Sequence, residues 1–492
     1  MSALKNSKPT KPLRSVSDVR RFFHRNETPI YFISATNFNL LGADEWVKGF
    51  KFICYMDCFD GQHPNVFVPG ERPHDVFESI EDINNYLLEH KEVADYVTRR
   101  GPGKAVFLMF DEKTEELARE LGLEICFPPA SLRQHLDNKV ITTRIAEEAG
   151  VACVPNVLAR VDSYETLREV SKGLGPDLVI QTPFGDSGHT TFFISDEADW
   201  REYAGEIAEE PEVKVMKRIR PRQAAVEACV TRRGTIVAPL MTELVGFEEL
   251  TPYEGGWCGN EIFADAFTRT IRDKARKATF AMGEQLRQEG YHGYFELDFL
   301  IDEDTGQVYL GEMNPRITGA SSITNHTVFA LADAPLVLFH LLEWMDVDFE
   351  LSVRQLNQRW ARPENIDAWS QLVIKHTADT VEVVTKAPPT GIWRIDDRGN
   401  VLFSRYDIQR RAVESEEEAF FFRITKPGDY RYEGADLGIL VTRGRLMTPD
   451  FELNERAKAW IRGIKSYFKA REPFAVDTEA RTLYEVGGYK IL

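Results

Sequence analysis

The chain has 492 residues, enough for about two to four domains. Its formal net charge is −18, from 60 Lys and Arg against 78 Asp and Glu, which argues against extended binding to nucleic acid or to an anionic membrane because both need dense cations. With 43% apolar and 28% charged residues, the composition is that of a soluble globular protein, and a small anionic ligand held by a few local cations remains compatible with it.

The N-terminal segment, the cysteines and the apolar runs of the sequence predict an intracellular protein. Residues 1–28 begin with a polar, mildly basic segment without the apolar stretch of a secretion signal, so we expect a flexible tail there. Six cysteines are scattered and none forms a CxxC pair, which predicts buried thiols rather than disulfides or a zinc site. The longest apolar run, 328–345, is interrupted by charged residues and a proline, so it predicts a packed helix and not a membrane span. A reducing cytoplasm is therefore the expected location.

The first predicted domain covers 29–130 and alternates strand-like with helix-like segments. "PIYFISA" and "AVFLMF" are short apolar runs, whereas "ESIEDINNYLLEHKEVADYV" and "EKTEELARELG" have helical periodicity. Alternation of this kind predicts a small α/β domain with a parallel sheet.

The second predicted domain covers 131–345. It opens with a helical segment, 131–156, that stops at Gly150 and exits at Pro155. Strand–turn–strand patterns follow at 177–194, in "VKVMKRI" and in "AAVEACVTRRGTIV", and a long amphipathic helix covers 265–290.

The third predicted domain covers 346–492, and its composition shifts towards strands. From about residue 368, short apolar segments such as "QLVIKHTADTVEVV", "NVLFSRYD" and "LGILVTRG" are separated by turns. A closing helix, "ELNERAKAWIRGIKSYF", follows these strands. The pattern predicts a β-rich domain with one helix packed on it.

Polar side chains recur on two neighbouring strands of the second domain, in "GYFELDFLIDEDTGQVYLGEMNPRITG". Asp298 lies on the first strand, and Glu312 and Asn314, two residues apart, share a face of the second. A turn at 304–306 would bring Asp298 beside them, and Mg²⁺ prefers such oxygen ligands together with substrate phosphates. Arg316 could stabilise negative charge on a transferring group. The alternative from periodicity alone is a surface hairpin, and "NPR" argues against it because a plain strand avoids proline.

The segments "ELDFLID" and "GEMNPRITG", together with "DNKVITTRIAEEAGVACVP" upstream, are similar to the ATP-grasp superfamily, and most of all to its biotin-carboxylase-like branch. The resemblance covers about 130–345. It implies an α+β fold in which two antiparallel-sheet subdomains grip ATP, preceded by an α/β pre-ATP-grasp domain and followed by a β-rich domain. It also implies Mg²⁺-dependent phosphorylation of a carboxylate and attack of a nucleophile on the acyl phosphate, with two ions expected.

The resemblance extends residue by residue to a set of candidate site residues. It implies Asp298, Glu312 and Asn314 as metal ligands and Arg316 as the catalytic arginine. It implies cofactor-binding roles for Lys139, for the turn "PFGDSGHTT" with Gly185, Ser187, Gly188 and Thr190, and for Glu227 on a strand of the cleft. Outside this context the lysine would be a solvated residue at a helix start, the turn an ordinary hairpin turn, and the glutamate a solvent-facing strand residue.

Two departures from the family pattern concern the phosphate clamp and the hinge. Gln181 in "VIQTPFG" stands where the family usually has a second lysine, and an amide supplies no charge. Lys217 or Arg218 could compensate, so Gln181 and Lys217 are both retained as candidate nucleotide contacts. The usual hinge glutamate is also missing, because "VKVMKRI" offers Met216 and Lys217 there.

The choice between carboxylase and ligase depends on 241–263. Biotin carboxylases carry a basic segment in this region, whereas this stretch contains no Lys, Arg or His, and the chain has no Ala-Met-Lys-Met carrier site. A bicarbonate anion would lack its cation, so a ligase joining a small carboxylate, for instance an amino acid, to an amine or a thiol is favoured. Four acidic residues of the segment could attract the amine: Glu248, Glu249, Glu254 and Glu261. The segment 318–326 could bind the carboxylate through Ser321 and Ser322, with helix capping as the competing role.

Three functional hypotheses therefore remain at this point. The first is a carboxylate–amine ligase with small-molecule partners, without nucleic acid or membrane, and with a homodimer as the family's common assembly. The second is a biotin-carboxylase-like, bicarbonate-activating enzyme. The third is a degenerate ATP-grasp protein that binds nucleotide without turnover, which the loss of the lysine at Gln181 would explain.

Overall fold

A computed structural model describes residues 11–70, 77–185 and 190–474. A five-stranded, fully parallel sheet in the order β3-β2-β1-β4-β5 forms the first layer. Its strands are β1 (Ile30–Ser34), β2 (Phe50–Cys54), β3 (Val66–Phe67), β4 (Gly103–Phe107) and β5 (Leu123–Ile125). The helices are α1 (Val16–His24), α2 (Ala43–Trp46), α3 (Ile80–Glu89), α4 (Lys91–Arg100) and α5 (Glu112–Glu120). This sheet confirms the α/β character predicted for the first domain.

The helical segment predicted over 131–156 is divided in the structure. Helix α6 (Ala130–Asp137) ends before Asn138, and helix α7 (Lys139–Glu148) begins immediately after it. Asn138 has an extended backbone, and its side chain accepts hydrogen bonds from the amides of Val140 and Ile141. This is the N-cap geometry that starts a new helix. The break makes Lys139 the first residue of α7.

A four-stranded antiparallel sheet in the order β6-β9-β7-β8 follows. Its elements are β6 (Asn156–Ala159), α8 (Tyr164–Val170), β7 (Leu178–Gln181), β8 (Thr191–Ile194), α9 (Glu197–Glu209) and β9 (Val213–Lys217). One face buries alternate residues of these strands, among them Leu178, Ile180, Val213 and Val215, in a separate apolar core. The opposite face is the one that carries Gln181.

An eleven-stranded sheet begins in the region predicted as the second domain. Its first strands are β10 (Pro221–Thr231), β11 (Gly234–Val237), β12 (Met241–Val245), β13 (Trp257–Ile262), β14 (Gly293–Asp302) and β15 (Val308–Asn314). The associated helices are α10 (Arg269–Gln288), α11 (Ser321–Thr324), α12 (Val328–Ala332), α13 (Leu336–Trp344) and α14 (Val353–Trp360). Between α12 and α13 the apolar run 328–345 is broken, and α13 is buried from Leu336 to Leu342. Among the helices described, none is long and apolar enough to cross a membrane.

The same sheet continues into the C-terminal part of the chain through the pairing of β13 with β16. The remaining elements are β16 (Trp369–Lys375), β17 (Glu382–Lys386), β18 (Gly391–Ile395), β19 (Val401–Arg405), β20 (Glu418–Arg423), β21 (Tyr430–Arg431), β22 (Asp436–Arg443), α15 (Glu455–Tyr467) and β23 (Lys469–Arg471). Short 3₁₀ turns lie at Phe38–Leu40, Ala264–Ala266, Pro363–Asn365 and Arg410–Ala412. This part is β-rich with a closing helix, as predicted, and the placing of a domain boundary at 345/346 stays a prediction. The six cysteines are free thiols, five of them buried and Cys153 partly buried.

Candidate functional site

The antiparallel pair of β14 and β15 brings the predicted metal ligands together. Asp298 lies directly opposite Glu312, and Glu296 lies opposite Asn314. Because side chains alternate along a strand, all four project from one face. The Asn314 amide nitrogen donates to Asp298 Oδ2 at 3.1 Å and to Glu296 Oε2 at 3.3 Å. The hairpin geometry expected from the sequence is therefore present, and Glu296 belongs to the same cluster.

Arg316 lies at the end of this polar face, just after β15. Its Nη2 donates to Asn314 Oδ1 at 2.8 Å, and its Nη1 donates to the carbonyl of Ile317 at 3.4 Å. Its Nε is buried and has no hydrogen-bond partner among the residues described. A donor in this position can still be directed towards a bound anion.

Lys139 connects the acidic strand pair to the glycine turn. Its ammonium lies 2.9 Å from Glu312 Oε1 and donates to the carbonyl of Gly185 at 2.6 Å. The Lys139 backbone amide also donates to the Pro183 carbonyl at 2.8 Å. Gly185 has φ +137°, and a Cβ there would overlap the side chain of Thr190, so this close approach requires glycine. Of the remaining predicted turn residues, Ser187 and Gly188 lie outside the described residues.

Burial and mutual repulsion disfavour the charged form of the carboxylates in this cluster. Burial raises the pKa of Asp298 to about 7, and the charge of Glu312 adds to the effect. Burial followed by the charge of Asp298 raises the pKa of Glu296 well above its usual value, and the same causes act on the pKa of Glu243 on β12. Asp298 Oδ1 is buried without a hydrogen-bond partner in the described part of the chain. A bound cation would relieve both the repulsion and the unpaired oxygen.

The donor set fits Mg²⁺ in composition, since it offers the carboxylates of Asp298 and Glu312 together with the amide oxygen of Asn314. Within the described ranges, no group of three His, Cys, Asp or Glu side chains is arranged around one point for a metal. The Asn314 oxygen accepts from Arg316 while its nitrogen faces the carboxylates. Coordination through this amide therefore requires it to turn over, a rotation by which oxygen and nitrogen exchange places.

Glu227 lies on the neighbouring strand, opposite Glu296, and is completely buried. Its carboxylate accepts hydrogen bonds from Tyr294 at 2.6 Å, from Thr318 at 3.1 Å and from Ser321. Burial raises its pKa to about 7. These contacts attach it to the segment that follows Arg316, and direct contact with a nucleotide stays a prediction.

The serines expected to receive a carboxylate substrate are engaged within the protein. Ser321 donates to Glu227 and accepts from the Thr318 amide at 3.0 Å. Ser322 accepts from the buried Arg410, which also donates to the Ser322 carbonyl at 2.7 Å. Neither side chain caps helix α11, so the competing capping role is absent as well.

The acidic residues of 241–263 have separate environments. Glu261 is fully buried and accepts from Arg445 Nε at 2.7 Å and from the Leu446 amide at 2.7 Å. Glu249 lies 3.9 Å from Lys458, while Glu248 and Glu254 are exposed. Glu261 therefore links β13 by hydrogen bonds to the segment that follows β22. The acid of this region that does reach the cluster is Glu243, which the sequence analysis did not single out.

The lysine that lies beside Gln181 is not one of the two cations expected there, Lys217 and Arg218. Its amide nitrogen donates to Thr191 at 3.3 Å, and its buried oxygen has no partner among the described residues. Lys217 is exposed at the end of β9, opposite Leu178, and therefore on the other face of the sheet. Arg218 covers the ring of Phe193 at 4.9 Å. The residue directly opposite Gln181 is Lys214, which the sequence analysis missed.

A cavity of about 840 Å³ lies away from this cluster, between α10, α14 and the turn joining β10 to β11. Several of its arginines are already paired: Arg232 with Asp346, Arg233 with Asp348, and Arg287 with Glu284. Because these cations are neutralised within the protein, the carboxylate cluster remains the better candidate site.

Comparisons with known proteins come from structure and from sequence. The structure of carboxyaminoimidazole ribonucleotide synthase from Aspergillus clavatus, complexed with ATP, has a TM-score of 0.53 at 12% identity and covers 90% of this chain and 99% of its own. The biotin carboxylase domain dimer of the Hydrogenobacter thermophilus 2-oxoglutarate carboxylase, with MgADP, ADP and bicarbonate, has a TM-score of 0.57 at 14% identity and covers 90% of each chain. Biotin carboxylase from Campylobacter jejuni has a TM-score of 0.56 at 14% identity over 90% of this chain and 91% of its own.

Sequence comparison gives a more distant relation. No protein-family model matches the chain. The alpha subunit of mitochondrial methylcrotonoyl-CoA carboxylase from Arabidopsis thaliana is 22% identical over 236 residues, which are 45% of this chain and 30% of that protein. The matched segment therefore spans less than one third of that relative. The structural likeness over nine tenths of the chain shows that this protein has the ATP-grasp fold, in the form shared by carboxyaminoimidazole ribonucleotide synthases and biotin carboxylases.

Proposed function

We propose that this protein is an ATP-dependent ligase that activates a small carboxylate as an acyl phosphate and joins it to an amine, with release of ADP and phosphate. An amino acid is our candidate for the acid. The observation that carries the proposal is the pairing of Asp298 with Glu312, with Lys139 and Arg316 at its two sides. Two carboxylates flanked by two cations form a site for a metal-bound polyphosphate.

The residues of the site have distinct roles in this reaction. A substrate carboxylate oxygen attacks the γ-phosphorus of ATP and ADP leaves; the amine nitrogen then attacks the acyl carbon, and phosphate leaves as the amine loses a proton. Lys139 binds phosphate oxygens, and Arg316 stabilises the negative charge of the transferring group. Mg²⁺ bound by Asp298, Glu312 and Asn314, in our proposal as two ions, would neutralise the phosphate charge.

The excess of acid beside the proposed metal ligands supports an amine as the second substrate. Glu243 and Glu296 lie beside the proposed metal ligands, and both pKa values are raised well above normal by burial and by neighbouring carboxylates. A cationic or hydrogen-bonding amine placed against them would lower this cost. Neither residue corresponds to a proposed metal ligand, so both are available for substrate.

Bicarbonate activation is the second candidate. Its support is that solved structures with this fold are described with bicarbonate or with aminoimidazole ribonucleotide. Against it stands the absence of Lys, Arg and His from 241–263. Release of ADP that depends on bicarbonate alone would favour this candidate over the ligase.

The test is ADP release in the presence of Mg²⁺, ATP and pools of small acids and amines. Asp298→Ala and Glu312→Ala should each abolish release while the fold is retained. Asp304→Ala is the matched control, because Asp304 lies in the turn of the same hairpin and pairs with the exposed Arg220. The ligase proposal fails if no acid–amine pair raises ADP release above background; MgATP binding without turnover would then support the degenerate alternative.

Assembly and location form part of the same proposal. One solved structure with this fold is described as a dimer, and we propose that this protein is a homodimer located in the cytoplasm. We also propose that each chain consists of an N-terminal tail and three domains, with boundaries at 28/29, 130/131 and 345/346. Light scattering during size-exclusion chromatography measures the mass directly, and a value of one 56.2 kDa chain would contradict the dimer.

A further inference from the structure

A buried lysine faces Gln181 across the four-stranded sheet. Gln181 on β7 and Lys214 on β9 are direct antiparallel partners. Directly opposed residues project from the same face, with Cβ atoms about 5 Å apart. Gln181 and Lys214 therefore present their side chains to the same space.

The ammonium of Lys214 forms no salt bridge with the described residues, and the carboxylate of Glu312 acts on it only from a longer distance. The side chain is only 2% exposed, and no hydrogen bond or salt bridge to it is formed by the residues that the structure describes. Lys139 is also buried, but it is paired with Glu312 and with the Gly185 carbonyl. A buried ammonium without a partner is strongly unfavourable in a folded protein, so a ligand is the reasonable source of the missing contact.

The direction of the Lys214 side chain is towards the candidate site. Val213 and Val215, its neighbours on β9, pack into the apolar core on the opposite face, as alternation requires. Burial lowers the pKa of Lys214, and the charges of Glu312 and Lys139 also act on its ammonium. Lys217 shares the face of the two valines and is exposed, so it cannot take this position.

We propose that Lys214 supplies, from the adjacent strand, the phosphate-binding cation that the strand of Gln181 does not carry. This inference rests on the proposed nucleotide-dependent function. Neighbouring strands are about 4.8 Å apart, and a lysine side chain is longer than that spacing. A lysine on either strand can therefore bind the same anion. The amide of Gln181 adds a neutral hydrogen bond beside it.

The experiment measures MgADP binding by titration calorimetry and thermal unfolding on the same variants. Lys214→Met should weaken MgADP binding by about tenfold or more, because it removes a charge-assisted contact. Its thermal midpoint without nucleotide should rise, because methionine replaces an unpaired buried charge with an apolar group of similar shape. Lys217→Met is the matched control on the same strand and should leave affinity unchanged within about twofold.

An exchange variant, Gln181→Lys with Lys214→Gln, tests whether a lysine on β7 can replace the lysine on β9 in nucleotide binding. It should recover most of the affinity that Lys214→Met loses, and it decides the matter if Lys214→Met does not fold. Wild-type binding with unchanged affinity in Lys214→Met would overturn the inference and leave the proposed function standing. Absence of MgADP and MgATP binding to the wild type would overturn both.

Discussion

Lys139 and Glu312 form a salt bridge in which the lysine is buried and the glutamate is partly exposed, with the ammonium nitrogen 2.9 Å from Oε1. Glu312 is a proposed metal ligand and Lys139 a proposed phosphate contact, so a metal-bound nucleotide must compete with this pair. The Lys139 ammonium also bonds to the Gly185 carbonyl in the glycine turn. The salt bridge therefore links the acidic strands to the turn and holds both proposed binding groups in place.

Removal of this lysine should weaken nucleotide binding. Lys139→Met leaves Glu312 without its cation and removes one charge from the phosphate site, so we expect a loss of MgATP affinity of about 10- to 100-fold. Lys172→Met is the control, because Lys172 is exposed and pairs only with the nearby Glu169 among the described residues. Titration calorimetry measures both; equal affinity in wild type and Lys139→Met would contradict the assignment.

Neutralising a metal carboxylate should lower the activity without lowering the stability. Asp298 lies among Glu243, Glu296 and Glu312, and its Oδ1 has no partner among the described residues. Asp298→Asn removes the repulsion, so the thermal midpoint of the metal-free protein should stay the same or rise. ADP release should fall by about 100-fold or more, because the metal loses a charged ligand.

The control for this prediction is Asp304→Asn, at the exposed turn of the same hairpin. It should change neither quantity. A lower melting temperature together with retained ADP release in Asp298→Asn would show that this carboxylate supports the fold and not the chemistry.

Much of the metal cluster could be predicted from local sequence. The turn at 304–306 sets the pairing of Phe299 with Leu310, and a register shift at Gly311 then places Asp298 opposite Glu312, so that Asp298, Glu312 and Asn314 share one face. The position of Lys139 is equally local, because Asn138 caps the helix that it begins. In these cases the residues that matter are joined by a short turn or a single cap.

The remaining members of the site depend on pairings between strands that are distant in sequence. Lys214 faces Gln181 because β9 folds back on β7 past an intervening strand and helix. Glu243 joins the cluster because β12 pairs with β10, which also pairs with β14. A single sequence carries no register information for such strands and so does not show which lysine of β9 faces Gln181; it offered Lys217 as the compensating cation and did not point to Lys214.

Glu227 should act by holding the segment after Arg316 in place. It accepts from Tyr294, Thr318 and Ser321 inside the protein. Glu227→Gln introduces an amide that cannot accept all three bonds, so we expect the free energy of unfolding to fall by about 1–3 kcal/mol. The ADP-release rate should fall while MgATP affinity is retained.

One control variant and one contrary outcome separate this role from direct nucleotide contact. Thr318→Val removes one of the same hydrogen bonds from the other side and should reproduce a weaker form of the effect. A large loss of MgATP affinity in Glu227→Gln, with the stability unchanged, would instead place Glu227 against the nucleotide.

Acid should destabilise the protein through His340. Its Nδ1 accepts a hydrogen bond from the Tyr294 amide at 3.0 Å, and burial lowers its pKa from 6.5 to about 3. Between these values the unfolded chain binds a proton at this residue and the native protein does not, so this contribution to stability is lost as the pH falls from 6.5 towards 3. His340→Asn keeps an acceptor that cannot be protonated, and it should reduce the pH dependence of the free energy of unfolding by up to about 1.4 kcal/mol per pH unit. Denaturant unfolding at several values between about pH 4 and pH 8 measures this pH dependence. The control is His135→Asn, at an exposed histidine. If His340→Asn has the same pH dependence as the wild type, the assignment to His340 is contradicted.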